Sequence, residues 1–139
     1  MFSIASVALV VADYDAAIEF FCGKLGFARI EDTPLGGGKR WVVVGPPGGR
    51  GARLLLARAD GETQRRAIGS QTGGRVGFFL ETDDFFRDFS VFSARGVRFL
   101  EAPRRESYGT VAVFEDICGN KWDLIEPRAG TGGFDVSRE

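Results

Sequence analysis

The chain has 139 residues, of which 44% are apolar, 18 are basic and 19 are acidic, and it contains no histidine. This length and apolar content suit one compact domain or two small modules that share a core. The net charge of -1 provides no chain-wide field to attract nucleic acid or an anionic membrane, so we expect neither as a partner and expect a small-molecule ligand instead.

The first half of the chain predicts a β-α-β-β-β unit. Residues 4–15, IASVALVVADYD, alternate in the way of a strand covered on one face, and Asp13 ends this strand and caps a helix that stops near Gly26. Apolar side chains spaced by four, three and four residues form the buried face of this helix: Tyr14, Ile18, Phe21 and Leu25. The segments FARIEDT, RWVVVG and ARLLLARA predict three strands, separated by the turns PLGGG and PPGGRG.

The second half of the chain predicts the same order of elements. RVGFFLET is typical of a strand, and Asp83 and Asp84 then cap a helix that ends at Gly96. Its buried face is formed by three aromatic side chains: Phe85, Phe89 and Phe92. The segments GVRFLEA, GTVAVFED and NKWDLIE predict three more strands.

The two halves are copies of one unit. A shift of 70 positions superposes residues at turns and strand centres without a gap: Gly26 on Gly96, Glu31 on Glu101, Val43 on Val113, Gly49 on Gly119, Leu54 on Leu124 and Arg58 on Arg128. A shift of 71 is needed further upstream, where it pairs the three apolar residues Tyr14, Ile18 and Phe21 with Phe85, Phe89 and Phe92. The pattern therefore indicates a duplicated unit with one residue inserted in the first helix.

These patterns predict a first module at residues 1–58, a linker at 59–73, a second module at 74–128 and a flexible C-terminal tail at 129–139. The linker is polar and glycine-rich and has no periodicity. No apolar run approaches the roughly 20 residues of a membrane-spanning helix, and the N-terminus lacks the basic region of a signal peptide. We therefore expect a cytoplasmic protein in which Cys22 and Cys118 are free thiols.

The tandem units resemble the vicinal oxygen chelate superfamily, which contains glyoxalase-type lyases, extradiol dioxygenases and bleomycin-binding resistance proteins. The segments DYDAAIEFFCGKLGF and FEDICGNKWDLIEP carry this resemblance, which extends from about Ile4 to Pro127. The resemblance implies an α+β fold in which two β-α-β-β-β modules form half-open barrel sheets around a cavity, with helices on the convex faces. It also implies a homodimer with ligand sites between modules.

The resemblance further implies a metal site in those members of the family that use one. Its ligand positions fall at Ser6, Arg53, Gly77 (Val76 with the shift of 70) and Asp123. Only Asp123 is a typical metal ligand, and Glu81 is the nearest possible helper. Since a catalytic metal normally has at least three protein ligands, we expect no metal cofactor, although a weakly held divalent ion stays possible. The absence of histidine excludes an extradiol dioxygenase of the two-histidine, one-carboxylate type.

The leading hypothesis is metal-independent binding of a small aromatic or anionic molecule in a cavity between the modules. Trp41 and Phe79 would stack on the ligand, Tyr108 would lie at the cavity rim, and Ser6 would be a further binding residue. Arg53 and Asp123 have two interpretations that are compatible. They form a buried ion pair between the last strands of the modules, or Arg53 clamps an anionic ligand while Asp123 orients it.

Two alternatives stay open. In a glyoxalase-like lyase or isomerase, Glu81 or Asp123 would remove a proton next to a carbonyl, and Arg53 or a weakly held metal would stabilise the enediolate. In a dimerising module with a vestigial cavity, no ligand would raise the melting temperature.

Overall fold

The computed structural model describes residues 1–129 and shows an α+β fold with two open sheets, as predicted. The chain divides into two compact units. The first contains Met1–Gln71 together with Ile117–Gly119, and the second contains Thr72–Asp116 and the strand that follows Asn120. The predicted tail lies outside the described residues apart from Ala129.

The first unit contains a four-stranded sheet with the strand order β1-β4-β3-β2. Its strands are β1 (Ser6–Val11), β2 (Ala28–Gly36), β3 (Lys39–Gly45) and β4 (Arg53–Arg58). β1 pairs with β4 in parallel, and the other pairs are antiparallel. The helices are α1 (Tyr14–Ile18), which continues as a π-helical segment (Glu19–Lys24), and α2 (Glu62–Ala67).

The first helix contains the inserted residue that the repeat indicated. The Asp13 carboxylate accepts a hydrogen bond from the Ala16 N–H at 2.8 Å and so caps α1. In the π-helical segment the Leu25 N–H donates to the Phe20 carbonyl, five residues back, at 3.1 Å. A π turn holds one more residue than an α turn, so the insertion is confirmed and is absorbed within the helix.

Contacts with Tyr14 show which face of the first sheet packs against α1. The guanidinium groups of Arg40 and Arg58 lie over the Tyr14 ring at 5.2 and 5.1 Å from its centroid. Fully buried apolar residues share this face or adjoin it: Leu9, Val11, Val42, Val44 and Leu56. Since side chains alternate along a strand, Trp41 on β3 and Arg53 on β4 project from the opposite face.

The second unit contains a five-stranded sheet with the order β5-β9-β8-β6, in which β7 also pairs with β8. Its strands are β5 (Val76–Glu81), β6 (Arg98–Phe99), β7 (Arg104–Glu106), β8 (Gly109–Glu115) and β9 (Lys121–Pro127). β5 and β9 are parallel, and α3 (Phe85–Ala94) lies between β5 and β6 in the chain. Both modules therefore have the predicted β-α-β-β-β order, with β7 as an addition.

The strand predicted from GVRFLEA is shorter than expected, because β6 contains only Arg98 and Phe99 and is followed by the separate strand β7. The Glu101 carboxylate accepts a hydrogen bond from the Val113 N–H at 2.9 Å. In a continuous ladder, a backbone carbonyl of the neighbouring strand would accept this bond. Pro103 follows and has no N–H to continue the ladder. The edge of the sheet is consequently broken between β6 and β7.

Aromatic residues pack between α3 and the second sheet. Phe92 contacts Phe114 edge to face with 6.0 Å between ring centroids, and Phe114 stacks on Trp122 at 5.8 Å. Glu126 lies on the same side, since its carboxylate accepts a hydrogen bond from the Phe85 N–H at the start of α3. Trp122 therefore faces the helix, and Asp123 next to it projects from the opposite face.

The turn that leads into β9 is built around the buried carboxylate of Asp116. It accepts hydrogen bonds from the Asn120 N–H at 3.0 Å, the Asn120 side-chain amide at 3.1 Å and the Trp122 indole N–H at 3.0 Å. These bonds fix the backbone at the start of β9, so the position of Asp123 on the sheet follows from the turn. Within residues 1–129, neither Cys118 in the turn nor Cys22 in the π-helical segment is part of a disulfide.

The segment predicted to be a linker is more ordered than its sequence suggested, because it contains α2. The Gln71 side-chain amide forms two hydrogen bonds with β1, accepting from the Val10 N–H at 2.9 Å and donating to the Ala8 carbonyl at 2.7 Å. These bonds fasten the end of the segment to the edge of the first sheet. The helices within residues 1–129 all fall short of the length and apolar character needed to cross a bilayer.

Candidate functional site

The face of the first sheet opposite α1, here called far face 1, carries Ser6, Trp41, Val43, Arg53 and Leu55. Ser6 and Arg53 are register partners on the parallel strands β1 and β4. The Arg53 side chain extends across Gly45, where an added Cβ would lie 3.5 Å from its Cγ. Within residues 1–71 no carboxylate forms an ion pair with Arg53. The exposed guanidinium is thus available for an anion on this face.

Trp41 lies on far face 1 but not beside Arg53. Its indole ring is 42% exposed, and Trp41 is the register partner of Thr33 on β2. Arg53 lies opposite Gly45, and Trp41 is four residues from Gly45 along β3, which corresponds to about 13 Å. The structure therefore places Ser6 and Arg53 together and Trp41 at a distance, so that one small molecule reaches both groups only when it is elongated.

The face of the second sheet opposite α3, here called far face 2, carries Phe79, Glu81, Val113, Asp123 and Ile125. Asp123 lies between two register partners, Phe79 on β5 and Val113 on β8. Glu81 is two residues further along β5 and is exposed. The strand register therefore places Phe79, Glu81 and Asp123 on one face. The Phe79 ring is 53% exposed beside the carboxylate.

Asp123 is a carboxylate in an unfavourable environment. Its Oδ1 atom is buried and has no hydrogen-bond partner among residues 1–129. Burial raises the pKa of the carboxyl group above its usual value. The positive charge of Arg104 acts in the opposite direction on this pKa, and the negative charge of Glu101 raises it further. Asp123 is therefore half-buried, incompletely solvated and held near other charges.

The charges near Asp123 belong to an ion-pair network that the sequence analysis missed. The Arg104 guanidinium contacts Glu101 at 2.9 Å and Glu106 at 2.8 Å. Hydrogen bonding to Arg104 is the main cause of the lowered pKa of Glu101, and the bond from the Val113 N–H lowers it further. The Glu-x-x-Arg spacing of 101 to 104 was the available signal. The pair forms because the chain bulges between β6 and β7, where residues 100–103 lie opposite only residues 112 and 113 of β8.

Tyr108 lies in the hairpin turn between β7 and β8. Its hydroxyl group is not simply exposed to solvent, because a hydrogen bond with the Tyr108 side chain contributes to the raised pKa of Arg104. Tyr108 therefore belongs to the network around Arg104. Its predicted role at the rim of a ligand site stays a prediction.

The side chains at the implied metal positions do not fit a metal ion. A side chain at Gly77 has no space, because the Thr72 side chain occupies the position in which a Cβ would lie. Arg53 carries a positive charge, and Asp123 is the one carboxylate in the set. Within residues 1–129, no three side chains among the cysteines and the acidic residues come together in a group that could hold a metal ion.

Two modules with open mixed sheets, each with a helix on one face and a parallel pair of first and last strands, define a protein of the glyoxalase fold class. Residues 3–124 match the Glyoxalase/Bleomycin resistance protein/Dioxygenase superfamily, and the chain belongs to this family.

Relatives and solved structures support this assignment. An uncharacterized protein from Shewanella frigidimarina (strain NCIMB 400) is 54% identical over 125 residues, which cover 89% of this chain and 93% of the relative. The crystal structure of UcmS2 is similar with a TM-score of 0.78 and 28% identity, covering 90% of this chain and 98% of that one. TnmS3, an antibiotic binding protein from Streptomyces sp. CB03234, is similar with a TM-score of 0.73 and 27% identity, covering 92% and 98%.

Proposed function

We propose that this protein binds a small, partly aromatic or anionic molecule without the help of a metal ion. The observation that carries the proposal is the pairing on far face 2 of an exposed phenylalanine, Phe79, with the buried and unpartnered Oδ1 of Asp123. Ligand sites typically combine an apolar wall with a few oriented polar groups. The similarity to TnmS3, which is described as an antibiotic binding protein, supports the same class of function.

The energetics of far face 2 favour a ligand. An exposed aromatic ring gains about 25 cal/mol for each square ångström of apolar surface removed from water. A buried polar atom without a partner costs about 1–3 kcal/mol, and a ligand that supplies a donor recovers part of this cost. Both contributions, at Phe79 and at Asp123, favour the state with a ligand bound, so occupancy of this face would stabilise the folded protein.

Far face 1 provides the recognition of an anionic group. The Arg53 guanidinium is exposed and can bind a carboxylate or phosphate in a bidentate manner, and the Ser6 hydroxyl lies beside it in the register. Trp41 offers a second aromatic surface on the same sheet. That these groups and Asp123 line one cavity between the modules, in a homodimer, stays a prediction.

A thermal-shift screen of aromatic and anionic small molecules, run on protein purified without chelators, tests the proposal. A ligand at 100 times its dissociation constant is expected to stabilise the protein by about 2.7 kcal/mol. Phe79→Leu and Arg53→Gln should each weaken the response, whereas Arg66→Gln on the exposed helix α2 is the matched control and should not. The absence of any stabilising compound in the screen would contradict binding.

The metal content of the same sample tests whether binding is independent of a metal ion. Near-stoichiometric metal that disappears in Asp123→Ala would contradict this independence.

A second candidate, a glyoxalase-like lyase or isomerase, is favoured by the raised pKa of Asp123. A carboxyl group whose pKa is raised by burial is better matched to proton transfer at neutral pH. Asp123 or Glu81 would then remove the proton next to a carbonyl group. Exchange of this proton with deuterated water, followed by NMR for 2-oxoaldehyde hemithioacetals and 2-hydroxy ketones, tests the candidate. Exchange that is lost in Asp123→Asn would support it, and no exchange would count against it.

A further inference from the structure

The hydrogen-bonding capacity around Asp123 indicates what kind of group the Oδ1 atom can bind. The side chains next to it across the sheet belong to Phe79 and Val113, which have no polar hydrogen to donate. The Val113 N–H is already used by Glu101. The strand register therefore places Oδ1 beside groups that offer it no donor.

The cation that acts on the charge of Asp123 is bonded elsewhere. Arg104 donates to Glu101 and Glu106 at 2.9 and 2.8 Å, so this guanidinium is occupied by two other carboxylates. Lys121 is two residues before Asp123 on the same face, but it is exposed and forms no ion pair within residues 72–129. The negative charge of Asp123 is thus influenced by Arg104 without being bonded to it.

A buried acceptor without a donor, next to an exposed aromatic ring, is complementary to a specific class of molecule. We propose that far face 2 selects planar aromatic ligands that carry an O–H or N–H donor at the ring edge. The ring lies against Phe79, and the donor binds the Asp123 carboxylate, which turns about its Cβ–Cγ bond to present Oδ1. This inference rests on the proposed function and deepens it by assigning the donor end of the ligand to far face 2.

The same geometry disfavours an anionic group at this position. A carboxylate or phosphate close to Asp123 would place like charges together, since Arg104 is bonded to two other carboxylates and Lys121 lies two residues, about 7 Å, away along β9. A ligand that has both an aromatic ring and an acidic group is therefore oriented with the acid away from Asp123. The phenol, aryl amine or heteroaromatic N–H is the group that is recognised at this end.

Two matched probes test the proposal: 2-naphthol, which has the donor, and 2-methoxynaphthalene, in which a methyl group replaces the hydroxyl hydrogen. Binding is measured by calorimetry or fluorescence at neutral pH on the full chain. We expect 2-naphthol to bind about tenfold more tightly, as a hydrogen bond to a charged acceptor contributes more than one to a neutral acceptor. Equal affinities, or tighter binding of the ether, would overturn the proposal.

Variants of the two side chains separate their contributions. Asp123→Ala should weaken 2-naphthol about tenfold while leaving the ether unchanged, and Phe79→Leu should weaken both probes to a similar extent. Circular dichroism confirms that each variant is folded, and Asp123→Asn serves as a second variant that keeps the shape of the side chain. If neither probe binds while the screen finds other ligands, the inference fails and the proposed function stands. If the screen finds no ligand, both fail.

Discussion

Replacing Asp123 by asparagine is expected to stabilise the protein, although it replaces a candidate functional residue. The substitution keeps the shape of the side chain and removes the charge from the buried Oδ1, which has no hydrogen-bond partner within residues 1–129. An unsatisfied buried polar group costs about 1–3 kcal/mol, and more when it is charged. Asp123 is only half-buried and is attracted by Arg104, so the expected effect lies at the lower end of this range. We expect the free energy of unfolding to rise by about 1 kcal/mol.

Urea unfolding of both proteins at neutral pH measures this difference by linear extrapolation. For a chain of this size, about 1 kcal/mol corresponds to a rise of roughly 3 °C in the melting temperature. Asp116→Asn is the matched control in the same unit. The Asp116 carboxylate is buried with three hydrogen bonds at 3.0–3.1 Å, so this variant should lose roughly 2 kcal/mol.

The difference between wild type and Asp123→Asn should also depend on pH. The pKa of Asp123 is raised in the folded protein, so the native state binds this proton more strongly than the unfolded state does. The loss of stability that the charged carboxylate causes is fully present above the pKa of Asp123 in the folded protein and decreases as the pH falls through this value. It vanishes below the pKa in the unfolded chain, which is about 3.9. The charged groups that influence or share this face are Glu81, Glu101, Arg104 and Lys121.

A loss of stability of more than about 1 kcal/mol in Asp123→Asn at neutral pH would refute this reasoning. Such a loss would show that the carboxylate is stabilised by an opposite charge, as the interpretation of Arg53 and Asp123 as a structural ion pair requires. Arg53→Gln would then show a similar loss, and a double-mutant cycle would measure the coupling.

Further predictions concern three other contacts. Glu101→Gln should cost about 1 kcal/mol at neutral pH, measured by urea unfolding, since it weakens the bond to Arg104. Because the folded pKa of Glu101 is lowered, this contribution is present above the unfolded pKa of about 4.3 and is lost as the pH falls through the folded pKa. Gln71→Ala should accelerate hydrogen exchange of the Val10 amide at least tenfold, and unchanged exchange would contradict the bond to the Gln71 side chain. Gly77→Val should destabilise the protein by 2 kcal/mol or more, at about the level of an overpacked core, because a threonine side chain fills the space; a neutral effect in thermal melting would contradict this.

The helices and strands could be predicted from the sequence because each has a strong local signal. The alternating strands, the aspartate caps and the glycine helix ends depend on neighbouring residues alone, and the structure contains them close to their predicted bounds. The inserted residue in the first helix was accessible because the second module serves as an internal reference. The helix α2 was not, since none of its residues is buried and no apolar periodicity exists to detect.

The candidate site could be predicted only in part, because it depends on strand register and on turns. Alternation places Phe79 and Glu81 on one face of β5, but only the pairing with β9 shows that Phe79 is the partner of Asp123. The ion pair between Glu101 and Arg104 forms where the chain bulges between β6 and β7, and this bulge follows from the pairing of both strands with β8. The separation of Trp41 from Arg53 likewise follows from the pairing of β3 with β4, which composition cannot reveal.

The two hydrogen bonds of Gln71 to β1 also affect the solubility of the protein. β1 is an edge strand, and the free N–H and C=O groups of an edge strand are a template on which strands of other molecules can add. The Gln71 amide occupies the Val10 N–H and the Ala8 carbonyl in the way that a neighbouring strand would. One polar side chain in the connection between the modules therefore protects this edge against aggregation. Mutations that loosen the connection would be expected to show their effect first as precipitation and only later as loss of the fold.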